Sequence, residues 1–214
     1  MAPKVGRIVV TEFVSLDGVM EDPGGSEDFQ HGGWALAISR GDEGDRFKLD
    51  ELNEAEAQLL GRATYEGFAA AWPSRTDEVG FAEKMNTMPK YVVSSTLGEP
   101  EWQNTTVLRN LDEVARLRDD LDGTILVAGS KQLVQGLLDG DLVDELRLMV
   151  FPIVLGSGER LFGETNEPSN GGSRGARGHV AATRVAQAER QRRSYGKSAP
   201  ASAPVRSRSR TSRD

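Results

Sequence analysis

Short apolar runs alternate with segments of helical apolar spacing along most of this chain. Continuous runs such as Arg7–Val14 are typical of strands that are buried on both faces. Strands are predicted at Arg7–Val14, Ala57–Leu60, Lys90–Ser95, Thr105–Arg109, Thr124–Ala128 and Glu145–Val150. Helices are predicted at Asp45–Glu56, at Thr64–Ala71, between Leu111 and Leu121, and after Ser130. This alternation predicts an α/β fold, in which helices pack against a sheet.

The alternating pattern stops near Pro168. Residues 169–214 contain no Leu, Ile, Phe, Met or Trp, so we do not expect them to form a hydrophobic core. The charge changes at the same place, because residues 1–168 hold 15 basic and 31 acidic side chains, whereas residues 169–214 hold 11 basic and 2 acidic ones. We therefore predict one folded domain over residues 1–168 and a disordered basic tail over residues 169–214.

The composition excludes several kinds of site. The chain has no cysteine, which excludes disulfides, thiolate zinc sites and cysteine nucleophiles. Its two histidines are His31 and His179, and the second lies in the predicted tail. A histidine-based metal site and a Ser-His-Asp hydrolase are therefore disfavoured. No apolar run approaches the roughly 18 residues of a membrane span, so we expect a cytoplasmic protein without a membrane segment.

A nucleic-acid partner is not expected. The formal net charge is -7, whereas nucleic-acid-binding proteins usually carry an excess of basic residues. The basic tail could by itself bind a nucleic acid or an acidic partner through counterion release. A solvated extension without a partner is the interpretation that we favour.

Three predicted strand-to-helix junctions carry small or polar residues. They are Gly61-Arg62-Ala63-Thr64, Ser94-Ser95-Thr96 and Ala128-Gly129-Ser130. At the carboxyl ends of strands in an open α/β sheet, free backbone N–H groups and the helix dipole can hold phosphates. Taken singly, each junction is better explained by an ordinary turn glycine or a solvated arginine. Together they predict a nucleotide site, to which Arg62 adds a guanidinium that can bind a phosphate through two hydrogen bonds.

The order of these junctions resembles that of one enzyme superfamily. The motifs are Gly61-Arg62-x-Thr64-Tyr65-Glu66, Val92-Val93-Ser94-Ser95, Leu126-Val127-Ala128-Gly129-Ser130 and Pro152-x-Val154-Leu155-Gly156-x-Gly158-x-x-Leu161-Phe162. From about Arg7 to Gly163 the chain resembles the dihydrofolate reductase superfamily. The last motif resembles most its riboflavin-biosynthesis branch, the reductase domain of the bifunctional pyrimidine deaminase/reductase.

The resemblance implies a dihydrofolate-reductase-like three-layer fold, with a mostly parallel sheet, helices on both faces, and NADPH as hydride donor. The residues that it implies for cofactor binding are Gly61, Arg62, Thr64, Ser94, Ser95, Gly129 and Ser130. Among them, Ser94 and Ser95 would lie near the adenosine 2′-phosphate, and Gly129 and Ser130 would cap the pyrophosphate. A homodimer is expected, because such relatives commonly dimerise.

Two aspartates are candidates for the acid that assists hydride transfer. Asp45 precedes Gly61 by 16 residues, which resembles the separation between the acid and the Gly-Arg turn in bacterial dihydrofolate reductases. Capping of the predicted helix by Asp45 and its acidic neighbours explains this residue equally well. Asp17, in Ser15-Leu16-Asp17-Gly18, resembles a similar motif of the riboflavin-type relatives, and a turn aspartate before glycine is its alternative.

The sequence therefore predicts an NADPH-dependent reductase of a small heterocyclic substrate, most like 5-amino-6-(5-phosphoribosylamino)uracil reductase. One alternative is a dihydrofolate or pteridine reductase. An alternative of another class is a non-catalytic protein, either a nucleotide-binding protein or a basic-tailed adaptor.

The chain departs from the resembled family after Pro168. The relatives usually continue with two more strands, which form a terminal hairpin and complete the sheet. Here the composition changes to Arg, Ala, Gly, Ser and Pro, as expected when GC-rich coding DNA is read in the wrong frame. We therefore expect the hairpin to be missing, and a frameshifted C-terminus is our hypothesis for the cause.

Overall fold

The computed structural model describes residues 6–163 and the backbone of residues 179–182. The strands are β1 (Arg7–Ser15), β2 (Ala55–Gly61), β3 (Lys90–Val93), β4 (Thr105–Leu108), β5 (Thr124–Val127), β6 (Glu145–Phe151) and β7 (His179–Ala182). The helices are α1 (Gly41–Glu54), α2 (Arg62–Ala71), α3 (Phe81–Thr87), α4 (Leu111–Asp120) and α5 (Lys131–Asp139). Every strand and helix that the sequence predicts is present, within a few residues of its expected bounds.

The strands form one sheet in the order β4-β3-β2-β5-β1-β6-β7. All of its described ladders are parallel, so the carboxyl ends of the strands lie at the same edge. Strand β5 ends where Val127 pairs with Val10, whereas β1 and β6 continue to the pair Ser15 and Phe151. The residues that follow β5 therefore lie between the last residues of β1 and those of β2, which flank β5 in the sheet.

Helices cover both faces of the sheet. On one face, Leu52 of α1, Tyr65 of α2 and Met85 of α3 pack with Val9 and Leu60 of the sheet. A second buried cluster packs α4 and α5 onto the opposite face, and it includes Val114, Leu133, Val134, Leu137, Ile8, Val10 and Leu59. The expected three-layer α/β fold with a parallel sheet is thus confirmed. Across the described residues, no helix has the length and apolar character that crossing a membrane would require.

Three elements differ from the sequence-based expectation. Helix α1 begins at Gly41 rather than at Asp45, so Asp45 lies in its second turn. Helix α3 was not expected, because its seven residues span only about two turns and give a short apolar pattern. Strand β7 pairs in parallel with β6, although its residues lie inside the predicted tail.

The remaining residues of the predicted tail lie outside the described residues. This applies to 169–178 and 183–214, and residues 164–168 of the predicted domain also lie outside the described residues. The domain boundary near Pro168, the missing hairpin and the frameshift therefore remain predictions.

Candidate functional site

Two of the strand-to-helix junctions meet at the carboxyl edge of the sheet. Gly61 ends β2 and precedes α2, and a Cβ atom built on it would overlap the Ser130 hydroxyl. Gly129 has a φ of 61°, and a Cβ atom on it would lie 2.5 Å from the Thr64 hydroxyl oxygen. The structure therefore brings Gly61, Thr64, Gly129 and Ser130 into direct contact. The absence of a side chain at both glycines is what allows this approach.

The contact places the N-termini of α2 and α5 side by side. The residues before these helices are Gly61 and Ser130, and within the described part of the chain no side chain caps either helix. Helix α4 differs, because the Asn110 side chain accepts a hydrogen bond from the Glu113 amide. Uncapped first turns present free N–H groups and the positive ends of two helix dipoles. Such an arrangement favours an anionic ligand, and phosphates in particular.

The third predicted junction, Ser94-Ser95-Thr96, is not a strand-to-helix junction, because β3 is followed by β4 with no helix between them; this turn is linked to the site through Arg62. The Arg62 guanidinium donates hydrogen bonds to the Thr96 hydroxyl at 2.7 Å and to the Glu66 carboxylate at 2.7 Å. The buried Ser94 hydroxyl accepts hydrogen bonds from the backbone amides of Thr96 and Leu97 and so shapes the turn after β3. Ser95 lies in the same turn and is exposed to solvent.

A second arginine at this turn was not identified from the sequence. Arg109 follows β4, and its guanidinium donates hydrogen bonds to the carbonyl oxygens of Ser94, at 3.0 Å, and Leu97, at 2.8 Å. The pattern placed it at the end of a predicted strand, and no sequence feature marked its side chain as part of a site. Together with Arg62 it brings positive charge to the turn after β3.

A buried carboxyl group lies beneath the Gly129–Ser130 turn. Glu12 of β1 accepts a hydrogen bond from the Gly129 amide at 2.7 Å. Burial is the main cause that raises the pKa of Glu12 from 4.5 to about 8, against the opposing effects of the Gly129 hydrogen bond and Lys48. Glu12 was not predicted from the sequence, because it lies within the run Arg7–Val14, whose apolar character indicates a buried strand.

The candidate acid Asp17 holds two loops together. Its carboxylate accepts hydrogen bonds from the Ser15 hydroxyl and from the backbone amides of Leu155 and Gly156. These bonds, led by the one from Ser15, lower the pKa of Asp17 from 3.8 to about 2. A carboxyl group with such a pKa is ionised at neutral pH and is poorly suited to donate a proton. The geometry therefore favours a structural role, close to the turn aspartate considered for it above.

The candidate acid Asp45 lies near the carboxyl edge of the sheet, on the side of α1 that faces solvent. Its side chain is 63% exposed and forms an ion pair with Arg40. Because Asp45 is in the second turn of α1, it does not cap the helix, in contrast to the alternative considered from the sequence. The Arg40 guanidinium also lies 5.7 Å from the centroid of the Phe13 ring, so the ion pair lies beside the end of β1.

A second cluster that the sequence analysis missed lies between α1 and β1. The Lys48 ammonium group donates a hydrogen bond to the Thr11 hydroxyl at 3.0 Å and is paired with the Glu51 carboxylate, to which Thr11 also donates. It lies 4.9 Å from the centroid of the Phe13 ring. The sequence contains a pattern that could have indicated this cluster, because Lys48 and Glu51 share the helical spacing of the buried Leu52. Because both side chains are charged, the pattern placed them on the solvent-exposed side of the helix.

The site is suited to a phosphate-bearing ligand rather than to a metal ion. Within the described residues, no group of three or more His, Cys, Asp or Glu side chains could hold a metal. The free amides of α2 and α5, with Arg62 beside them, instead provide hydrogen-bond donors and positive charge. The amides fit the diphosphate of a dinucleotide, because pyrophosphates bind at helix N-termini, and Arg62 offers a contact to a further phosphate.

Comparison with known proteins agrees with this architecture. The RibD C-terminal domain family matches residues 7–170. The uncharacterised Bacillus subtilis (strain 168) protein YyaP is 29% identical over 171 residues, which cover 78% of this chain and 86% of that protein. The uncharacterised protein YwjB of the same strain is 32% identical over 164 residues, with coverages of 75% and 86%.

A solved structure shares the fold. A candidate riboflavin biosynthesis protein of Shewanella sp. PV-4 aligns with a TM-score of 0.55 and 24% identity, covering 76% of this chain and 86% of that one. The family match confirms the expected relationship to the reductase domain of the riboflavin-biosynthesis branch, and the solved structure confirms the fold. The chain belongs to the RibD C-terminal domain family, since that family's model spans strands β1 to β6 and both uncapped helix N-termini.

Proposed function

We propose that this protein is an NADPH-dependent reductase of a small heterocyclic substrate, most like 5-amino-6-(5-phosphoribosylamino)uracil reductase. Family membership supports a reductase of the riboflavin and dihydrofolate reductase superfamily. The observation that carries the proposal is the contact between Gly61 and Ser130, which joins two uncapped helix N-termini at the carboxyl edge of the sheet. An elongated ligand with several phosphates fits this arrangement better than a single anion does.

The proposed roles follow from the position of each residue. The amides of the first turns of α2 and α5 bind the pyrophosphate, with Thr64, Gly129 and Ser130 shaping the surface on which it lies. Arg62 and the turn that contains Ser94 and Ser95 bind the 2′-phosphate. Arg62 is now held by Glu66 and Thr96, so it exchanges these partners for a phosphate oxygen when the cofactor binds.

The proposed reduction adds a hydride and a proton across a double bond of the substrate. When bound at this site, NADPH would provide the hydride that adds to the carbon of a C=N or C=O bond. A proton then has to reach the neighbouring nitrogen or oxygen, and a group of the protein must hold that proton near the acceptor. Of the two aspartates considered, Asp45 stays a candidate for this role, whereas the hydrogen bonds and the low pKa of Asp17 argue against it. The ammonium group of Lys48, beside Thr11 of β1, is a further proton-bearing group on the α1 face.

We expect substitution of Arg62 by alanine to weaken NADPH binding by about tenfold or more, because a charge-assisted hydrogen bond to a phosphate contributes roughly 1.5–3 kcal/mol. NADH lacks the 2′-phosphate, so its affinity should change by less than about twofold. Fluorescence titration of the full chain with both cofactors measures this. Arg116→Ala, at an exposed position of α4, is the matched control and should leave both affinities unchanged.

Two results would contradict the proposed function. One is the absence of NADPH binding to the wild-type protein at millimolar cofactor. The other is equal loss of NADPH and NADH affinity in the Arg62 variant. The substrate class is tested by NADPH oxidation with 5-amino-6-(5-phosphoribosylamino)uracil and with dihydrofolate as acceptors. Turnover with dihydrofolate alone would assign the protein to the folate reductases instead.

The resemblance to the family is also the basis for two further proposals about this enzyme. We propose that it acts as a homodimer and that it works in the cytoplasm. Sedimentation of the purified chain at micromolar concentration tests the first of these.

A further inference from the structure

The carboxyl group of Glu12 contacts the turn that precedes α5, next to the contact between the two helix N-termini. Glu12 of β1 is 7% exposed, and its Oε1 atom accepts a hydrogen bond from the Gly129 amide at 2.7 Å. Gly129 is followed by Ser130, which begins α5 and abuts Gly61 at the start of α2. The position of the turn therefore depends directly on this carboxyl group.

The surroundings of Glu12 favour its neutral form. Charged groups on the elements around it include Lys48 and Glu51 of α1, Lys131 of α5, and Glu145 and Arg147 of β6. Lys48 favours ionisation and Glu51 opposes it, and the two are paired with each other. Lys131 and Arg147 also form ion pairs with other carboxylates. Burial therefore dominates, and with a pKa of about 8 the group is mostly protonated at neutral pH.

We infer that Glu12 is a positioning residue of the dinucleotide site, which fixes the Gly129–Ser130 turn through the Gly129 amide and links cofactor binding to the protonation of its own carboxyl group. This inference rests on the proposed function and adds to the same site a residue whose protonation controls cofactor affinity. It does not depend on which substrate is reduced.

The direction of the linkage follows from electrostatics. Phosphates bound at the N-termini of α2 and α5 add negative charge close to Glu12, which disfavours the ionised form further. Phosphates therefore bind more tightly when Glu12 is protonated than when it is ionised, and affinity falls as the pH rises above the pKa of the free protein. For a pKa of about 8, the protonated fraction falls about tenfold between pH 7 and pH 9, so the Kd for NADPH should rise by up to about tenfold.

The test is a set of NADPH titrations of the full chain at pH 7 and pH 9. Wild type should show this rise in Kd. Glu12→Gln keeps an acceptor for the Gly129 amide but cannot ionise, so its Kd should change by less than about twofold between the two pH values. Glu12→Leu removes the acceptor, and it should bind NADPH more weakly than Glu12→Gln at both pH values. Other groups that titrate in this range, such as Lys90, are present in all three proteins.

The outcomes separate this inference from the proposed function. A wild-type Kd that does not change with pH, or a Glu12→Gln variant with the wild-type slope, would overturn the role of Glu12 and leave the reductase proposal standing. Failure of wild type to bind NADPH at either pH would overturn both. If Glu12→Leu is poorly folded, the comparison of wild type with Glu12→Gln still decides the question.

Discussion

Substitution of Gly61 by valine should weaken NADPH binding at least about a hundredfold. Even a Cβ atom at this position would overlap the Ser130 hydroxyl, and the branched side chain adds two more carbons at the same place. The φ of Gly61 is -76°, so the cost comes from steric overlap and not from backbone strain. Displacement of α2 from α5 would separate the amides that bind the phosphates. Loss of two such contacts corresponds to roughly 3 kcal/mol, or about a hundredfold in Kd.

A control in the same helix and a double variant make this test specific. Gly67→Ala adds a methyl group that meets Ser26 at 3.5 Å, an ordinary contact, and should leave the Kd within about twofold of wild type. Gly61→Ala should destabilise the fold less when it is combined with Ser130→Ala, because the overlapping hydroxyl is then absent. A coupling energy of about 1 kcal/mol is expected from the double-mutant cycle in urea denaturation. Retention of NADPH affinity in Gly61→Val would contradict the site.

The second large effect concerns stability and pH. The pKa of Glu12 is about 8 in the folded protein and 4.5 for an ordinary glutamate, so the unfolded chain ionises first as the pH rises. The free energy of unfolding should therefore fall between about pH 4.5 and pH 8, by about 3–5 kcal/mol at roughly 1.4 kcal/mol for each pKa unit. Glu12→Gln removes this ionisation, and it should be more stable than wild type at pH 8 and similar to it at pH 4.

Urea denaturation of both proteins at pH 4 and pH 8 measures this difference. Glu101→Gln, at an exposed position, is the matched control and should follow the wild-type profile. Lys90 has a pKa lowered to about 8 by burial, so its own contribution should make both proteins more stable between pH 8 and pH 10.5. It does not affect the difference between them at lower pH. Parallel profiles of wild type and Glu12→Gln would refute the burial of an ionisable carboxyl group beneath the turn.

Most of the fold could be predicted from the spacing of apolar residues. The strands of a parallel sheet are covered on both faces, so they give continuous apolar runs that stand out against the amphipathic helices. Elements with weak patterns were missed. Helix α3 has only Ala82 and Met85 buried among its seven residues, and β7 consists of His, Val and two Ala within a segment of unusual composition.

The candidate site could be predicted only in part. The turn residues Gly61, Gly129 and Ser130 were predicted because small residues at the carboxyl ends of strands are typical of phosphate-binding turns, and the structure brings them together. Buried polar side chains were not found. Glu12, Lys48 and Glu51 are ionisable residues, which a sequence pattern assigns to the solvent side, and only the tertiary contacts show that the two glutamates are buried and that Lys48 is partly buried. The same limit applies to Asp17, whose partners Leu155 and Gly156 are far away in the chain.

The central claim is that the backbone amides of two neighbouring helix N-termini bind one dinucleotide. Amide chemical shifts of the isotope-labelled full chain, recorded during titration with NADPH, test it most directly. The account predicts that the largest shifts occur at Arg62 and Ala63 of α2 and at Ser130 and Lys131 at the start of α5, and that all of them saturate together. Shifts confined to other parts of the molecule, or shifts in the two helices that saturate at different NADPH concentrations, would contradict it.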